Sequence, residues 1–146
     1  MSSELNYSNF DFAIIHLGIN DFGLNLTAEN IVSDFATNIN TIITKLKNSS
    51  PGIKIFLATI IPTYAPSYDT NYKLMNEKIA EIAENTENVF LIDLNRYSEL
   101  ALRTEYNVIH PTALGYHKMA NEIKSYISYI IGNNLNKFTD IQFIGN

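Results

Sequence analysis

The sequence predicts an α/β fold, helices packed in layers on a short parallel sheet, and three observations predict it. Three short apolar runs stand apart in the chain, segments with apolar residues three and four apart separate them, and the two kinds alternate strand, helix, strand, helix, strand. The chain has 146 residues, of which 46% are hydrophobic, enough for one core and one expected domain over 1–146.

The first run, Asp11 to Gly18, is mostly apolar and closes on glycine, as a strand buried on both faces does. Thr27 can cap a helix whose Ile31, Phe35, Ile39, Ile42 and Leu46 form one stripe, ending near Asn48 ahead of Ser-Ser-Pro-Gly. Ile53 to Ile61 is the second strand, stopped by Pro62 and followed by a tyrosine-rich loop. Met75, Ile79 and Ile82 mark a second helix over about 70–85, and Asn88 to Asp93 a third strand of the same buried type. Thr112 can cap the last long helix, with Tyr116, Met119, Ala120, Ile123, Ile127 and Ile130 on one side until Gly132 ends it. The tail from Phe138 to Asn146 reads as a small additional strand or a hook. Right-handed crossovers would gather the residues after each strand along one edge of the sheet, where a site is expected.

Composition excludes several function classes. Charged residues are 17% of the chain and the net charge is −5, so no basic stripe is available for a phosphate backbone and nucleic acid is not an expected partner. With no cysteine there is no disulfide, thiolate metal site or cysteine nucleophile. Three histidines and scattered acids show no metal-ligand spacing, so neither a metal nor another cofactor is expected. The longest apolar run contains Lys54 and falls far short of the ~20 residues of a membrane span. The first residues, Met-Ser-Ser-Glu-Leu-Asn, have no basic or apolar leader character, which makes the cytoplasm the default expectation.

Two constellations carry chemistry. Gly18-Ile19-Asn20-Asp21 stands at the carboxyl end of the first strand, where an asparagine amide can donate to an oxyanion, an interaction whose loss typically costs about 10²–10³ in turnover. The same four residues also suit a plain turn. Asn107-Val-Ile-His110-Pro111-Thr-Ala-Leu-Gly115-Tyr precedes the last helix and projects toward the same edge. His110 could act there as general base toward a hydroxyl, or pack at a helix start.

Together these two motifs, in this order around these strands, resemble the SGNH (GDSL-type) serine ester hydrolases, over about residues 12–131. The resemblance implies a three-layer α/β/α sandwich, flavodoxin-like, in which Asn20 donates to the oxyanion and His110 is the base. It implies an acyl or acetyl ester of a lipid or carbohydrate as substrate. Gly18, Tyr64 and Ile109 are the candidate substrate contacts, and the tyrosines of the loop after Pro62 could wall a cleft or pack over the sheet.

Two departures set this chain apart. The family begins with a strand ending in Gly-Asp-Ser, whose serine is the nucleophile, and that tripeptide is absent here. Ser2, Ser3 and Ser8 read as a terminus, and Ser67 as a turn residue. Asn107 stands where the family has the aspartate that orients the base. It can orient an imidazole but cannot stabilise imidazolium by charge, and in serine proteases such an exchange lowers turnover by about 10⁴. Asp93 and Glu105 are the nearby acids, the former expected to bond local backbone. His16 and His117 are expected to be packed or solvated. Without the family's first strands, one edge of the first strand lies open, and a second copy, an upstream polypeptide supplying Gly-Asp-Ser or a rearranged N-terminal segment is expected to cover it. The chain alone is then an inactive esterase portion or, alternatively, a non-catalytic binding or structural module of a larger protein.

Overall fold

The structure, a computed structural model, describes residues 10–23, 27–61, 69–97, 106–107 and 110–141. In chain order these form β1 (Phe12–Ile15), a 3-10 turn (Ile19–Gly23), α1 (Ala28–Ser49), β2 (Lys54–Ala58), α2 (Asp69–Asn85), β3 (Val89–Ile92), the one-turn α3 (Leu94–Tyr97), β4 (Tyr106–Asn107), β5 (His110–Pro111), α4 (Ala113–Asn133) and a second 3-10 turn (Leu135–Lys137).

The three long-range strands make one parallel sheet in the order β1-β2-β3, with Ile14, Phe56 and Phe90 level across it. Side chains alternate between faces along a strand, so each strand feeds two cores. Ile55 and Leu57 of β2 join Ile31, Phe35, Ile39 and Ile43 of α1 and Met75 and Ile79 of α2 on one face. Phe56 and Ala58 face the other way, toward Ile92, Leu94, and Met119 and Ile130 of α4. All five residues of β2 are buried, as expected for a central parallel strand with helices on both faces. This is the parallel sheet that the alternation predicts, in the three-layer sandwich that the resemblance implies.

Local chemistry sets the boundaries. The Thr27 hydroxyl accepts from the Asn30 amide and that of Thr112 from Gly115, so both expected caps are made. Ile43 is fully buried and Ile42 only partly, which moves the α1 stripe round by one residue. The stripe on α4 also differs from expectation. Gly115, Met119 and Ile130 are buried and Ile123, Tyr126, Ile127 and Ile131 pack beside them, whereas Tyr116 and Ala120 are exposed. Gly132 does not end this helix, which runs one residue further to Asn133.

Of the tail, residues 138–141 are described, and they fold back on the sheet. Phe138 is buried after the last 3-10 turn, its ring 5.1 Å from Phe90, 6.3 Å from Phe12 and 6.4 Å from Phe56. Asp140 follows and accepts from the Lys54 ammonium at 3.1 Å, while Asn88 accepts from it at 3.4 Å. That pairing explains how a lysine only 5% exposed fits at the start of a buried strand. The Lys54 contact holds the Asp140 carboxyl below its ordinary range.

β1 is an edge. Among the described residues nothing pairs with its outer side, and Ile14 is 52% exposed although Phe56, its partner in register, is fully buried. The open edge expected from sequence is therefore present among the described residues.

Candidate active site

The carboxyl ends of β1 and β2 open into a cavity of about 230 Å³. Its walls come from four places: His16, Leu17 and Ile19 after β1, Ile60 and Ile61 after β2, His110 and Pro111 of β5, and Tyr116 and Met119 of α4. This is the edge on which a parallel α/β sheet places its ligands.

Each wall is held by an identifiable device. Gly18 turns the chain away from β1 with φ +116°, and a Cβ there would lie 3.0 Å from a Phe35 ring carbon and 3.1 Å from Ile60 Cδ1. Only glycine suits both conditions. The Asp21 amide then donates to the Gly18 carbonyl at 3.1 Å, closing the turn that carries Ile19 and Asn20. On the neighbouring strand, the buried Asn76 of α2 clamps Ile60. Its Oδ1 accepts from the Ile60 amide at 2.7 Å and its Nδ2 donates to the Ile60 carbonyl at 2.8 Å. Main-chain groups just past the strand are thus paired, and the two isoleucines of the wall are fixed.

His110 arrives on a hairpin. The main chain of Asn107 pairs with that of His110 and that of Tyr106 with Pro111, antiparallel. Thr112 then caps α4, which anchors itself through the Tyr126 hydroxyl to the Asp93 carbonyl at 2.9 Å. His110 is exposed on this hairpin and lines the cavity.

His16 also lines it, which the sequence does not indicate. The strand stops at Ile15, and His16, one residue beyond, is half-buried. Burial lowers its basicity, and a hydrogen bond to the Thr59 main chain opposes that shift.

The remaining candidates fall elsewhere. Asn20 is exposed and does not wall the cavity, although its neighbour Ile19 does. Gly18 is not among the cavity walls, and the space a Cβ would take there is met by Phe35 and Ile60. Asp21 is half-buried, which raises its carboxyl above the ordinary range. The Oδ1 of Asp93 accepts from the local Arg96 amide at 3.3 Å and from Thr59 Oγ1, just beyond β2, at 3.2 Å. His117 is exposed on α4 beside Asn121. Tyr64, Ser67, Glu105 and Ile109 lie outside the described residues, and of Asn107 only the main chain is described. Among the described residues no serine lines the cavity, no group of three side chains could hold a metal ion, and no helix is long and apolar enough to cross a membrane.

Comparison with known proteins fits this arrangement. The profile of the GDSL-like lipase/acylhydrolase family matches residues 2–118. No curated protein matches the chain. Among solved structures, the crystal structure of an acetyl esterase mutant with acetate ion superposes with a TM-score of 0.64 at 20% identity, covering 84% of this chain and 59% of that one. A carbohydrate esterase family 3 structure from Talaromyces cellulolyticus gives the same values. The chain thus spans 59% of the length of these structures, and at that identity the likeness establishes a shared fold. With the sandwich, the cavity at its carboxyl edge and a match over most of its length in agreement, the chain belongs to the GDSL-like lipase/acylhydrolase family.

Proposed function

We propose that this chain carries the base and oxyanion portion of an ester hydrolase and takes its nucleophile from polypeptide seated against β1. The observation that carries the reading is the meeting of His110 with the ends of β1 and β2 around one small cavity. In this reading His110 removes the proton from a serine hydroxyl as it attacks the ester carbonyl, and returns it to the departing alcohol. Asn20 donates to the oxygen that becomes negative, Asn107 orients the imidazole, and Tyr64 and Ile109 contact the substrate. The ester is small or carbohydrate-borne, because about 230 Å³ suits a short acyl group. No cofactor takes part.

The partner is a strand-bearing segment ending in Gly-Asp-Ser. The outer side of β1 supports this, since among the described residues no strand pairs with it and Ile14 and Leu17 are more than half exposed. A second copy of the chain could cover the edge but would bring no such serine. Residues 1–146 form a single domain in either case.

The test is hydrolysis of 4-nitrophenyl acetate by the purified chain, alone and with a strand-helix-strand polypeptide ending its first strand in Gly-Asp-Ser. Activity should appear only in the mixture, and His110→Ala and Asn20→Ala should each reduce it by about 10²-fold or more. Activity of the chain alone that survives His110→Ala would refute the assignment. A second reading, a non-catalytic module, draws on the absent Gly-Asp-Ser and on Asn107 in place of aspartate. It expects no hydrolysis in the mixture.

A further inference from the structure

The cavity walls that follow β1 and β2 are tied to α2, a helix whose described residues stay out of the cavity itself. β2 keeps its sheet partners as far as Thr59, whose amide donates to the Ile92 carbonyl at 2.9 Å. Ile60 lies one residue past that last ladder bond and is 1% exposed, so its amide and carbonyl need partners that no described strand supplies. Asn76 supplies both. Its buried side chain is an amide like a peptide unit, its acceptor facing the Ile60 N–H at 2.7 Å and its donor the Ile60 carbonyl at 2.8 Å. The pair holds Ile60 as a neighbouring strand would. Ile60 in turn bears on the turn after β1, because its Cδ1 lies 3.1 Å from where a Cβ on Gly18 would stand, with a Phe35 ring carbon at 3.0 Å. Gly18 holds φ +116° there, and its carbonyl accepts from the Asp21 amide. The position of Ile60 therefore reaches Asn20 through one packed contact and one closed turn.

We infer that Asn76 is a positioning residue of this site, setting the Gly18 turn, and with it Asn20, through Ile60. A side chain on α2 thereby fixes where the Asn20 amide stands relative to His110. Asparagine suits the task because it offers a donor and an acceptor side by side without charge, whereas aspartate puts a second acceptor in place of the donor unless it is protonated. This rests on the reading of Asn20 as oxyanion donor and His110 as base, and it adds the residue that holds the donor in place.

Asn76→Asp tests it, because the effect of that change depends on pH. Protonated, the introduced carboxyl accepts from the Ile60 amide and donates its O–H to the Ile60 carbonyl; ionised, it sets an oxygen against that carbonyl. Burial and the facing carbonyl raise its pKa above the usual carboxylate range, so a scan from about pH 5 to about pH 8 covers the change. Each spectrum of the ¹⁵N-labelled variant is compared with the unaltered chain at the same pH, which removes the titrations of His16, His110 and Asp21 common to both. The amide signals of Ile60, Gly18, Ile19 and Asn20 should match at the acid end and depart together on one curve. In the mixture with the Gly-Asp-Ser polypeptide, kcat for 4-nitrophenyl acetate relative to the unaltered chain should start near parity and fall about 10- to 10²-fold along that curve, with KM little changed. Ile60→Val keeps the main-chain bonds and removes Cδ1, a small change for folding, and it decides alone if Asn76→Asp does not fold. It should shift Gly18 and Asn20 and leave the Asn76 side-chain amide signals in place. Movement of Ile60 alone in the first variant, or no movement of Gly18 and Asn20 in the second, would overturn the positioning role. So would a kcat ratio that stays flat across the scan in an active mixture. No hydrolysis by the unaltered mixture would instead sink the reading of His110 and Asn20, while the spectra of the chain alone still decide whether Asn76 sets the turn.

Discussion

Among the described residues, β1 and β3 are the two edges of one sheet, four residues each, both parallel to β2 and both rich in apolar side chains, yet they end in different surroundings. Val89 and Ile92 of β3 are buried, and Phe90 lies under the ring of Phe138 with the Lys137 ammonium 5.7 Å from its centre. Level with Phe90 on β1, Ile14 is half exposed, beside an apolar groove lined by Phe10, Phe12, Ala13 and Ile15 of the same stretch and by Ile42 and Leu46 of α1. An apolar strand states a demand for cover, and only the tertiary neighbours decide whether it is met. The tail hook and α4 meet it at β3. At β1, among the described residues, it is not met on the outer side.

Substitutions can sharpen that contrast. The largest effect belongs to the shared centre: Phe56→Ala should destabilise the chain by about 3–5 kcal/mol, read from denaturant midpoints, since Phe56 is fully buried under Phe12, Phe90 and Phe138. Asn76→Ala comes next, because it leaves the buried Ile60 amide and carbonyl without partners, at about 1–3 kcal/mol for each group. It should also weaken ligand binding at the cavity, since Ile60 forms part of the wall.

A smaller effect is one of pH. Burial lowers the basicity of folded His16, so the unfolded chain takes up that proton first as pH falls below the ordinary value of 6.5. Its contribution to stability is fully present above that pH and is lost as pH falls from there through the folded value. Replacing the ring in His16→Phe should flatten the slope of denaturation midpoint against pH in that window. The smallest effect is expected at the open edge, where Ile14→Lys should change the stability of the isolated chain by no more than about 0.5 kcal/mol. The same change should weaken binding of the strand-bearing segment. A loss approaching that of Phe56→Ala would mean that β1 is already covered.

Much of this architecture is legible in the chain. Strand runs, the Thr27 and Thr112 caps and the α1 stripe are local patterns, and each element lies where its own residues put it. The placement of His110 beside the ends of the first strands follows from strand order alone. What is not legible depends on partners far apart in sequence. Asn76 meets Ile60 across 16 residues and Lys54 meets Asp140 across 86, and neither pair leaves a period or a motif. His16 falls into the same class. Inside an apolar run it reads as packing, and only the early end of β1, with Thr59 placed by β2, turns it toward the cavity. On α4, helical spacing alone allows two adjoining faces, and the sheet selects the one with Gly115, Met119 and Ile130 over that of Tyr116 and Ala120.

The most direct test of the open edge is amide hydrogen exchange along β1. The Lys54 amide donates to the Asp11 carbonyl, so in this parallel ladder residues 11, 13 and 15 bond to β2 while the amides of Phe12 and Ile14 point outward. In the chain alone, Ala13 and Ile15 should exchange slowly and Ile14 fast. Adding the Gly-Asp-Ser segment should slow Ile14 by about 10²-fold or more as ester hydrolysis appears. Slow exchange at Ile14 before the segment is added, or hydrolysis restored while it still exchanges fast, would contradict the claim that cover on β1 completes the site.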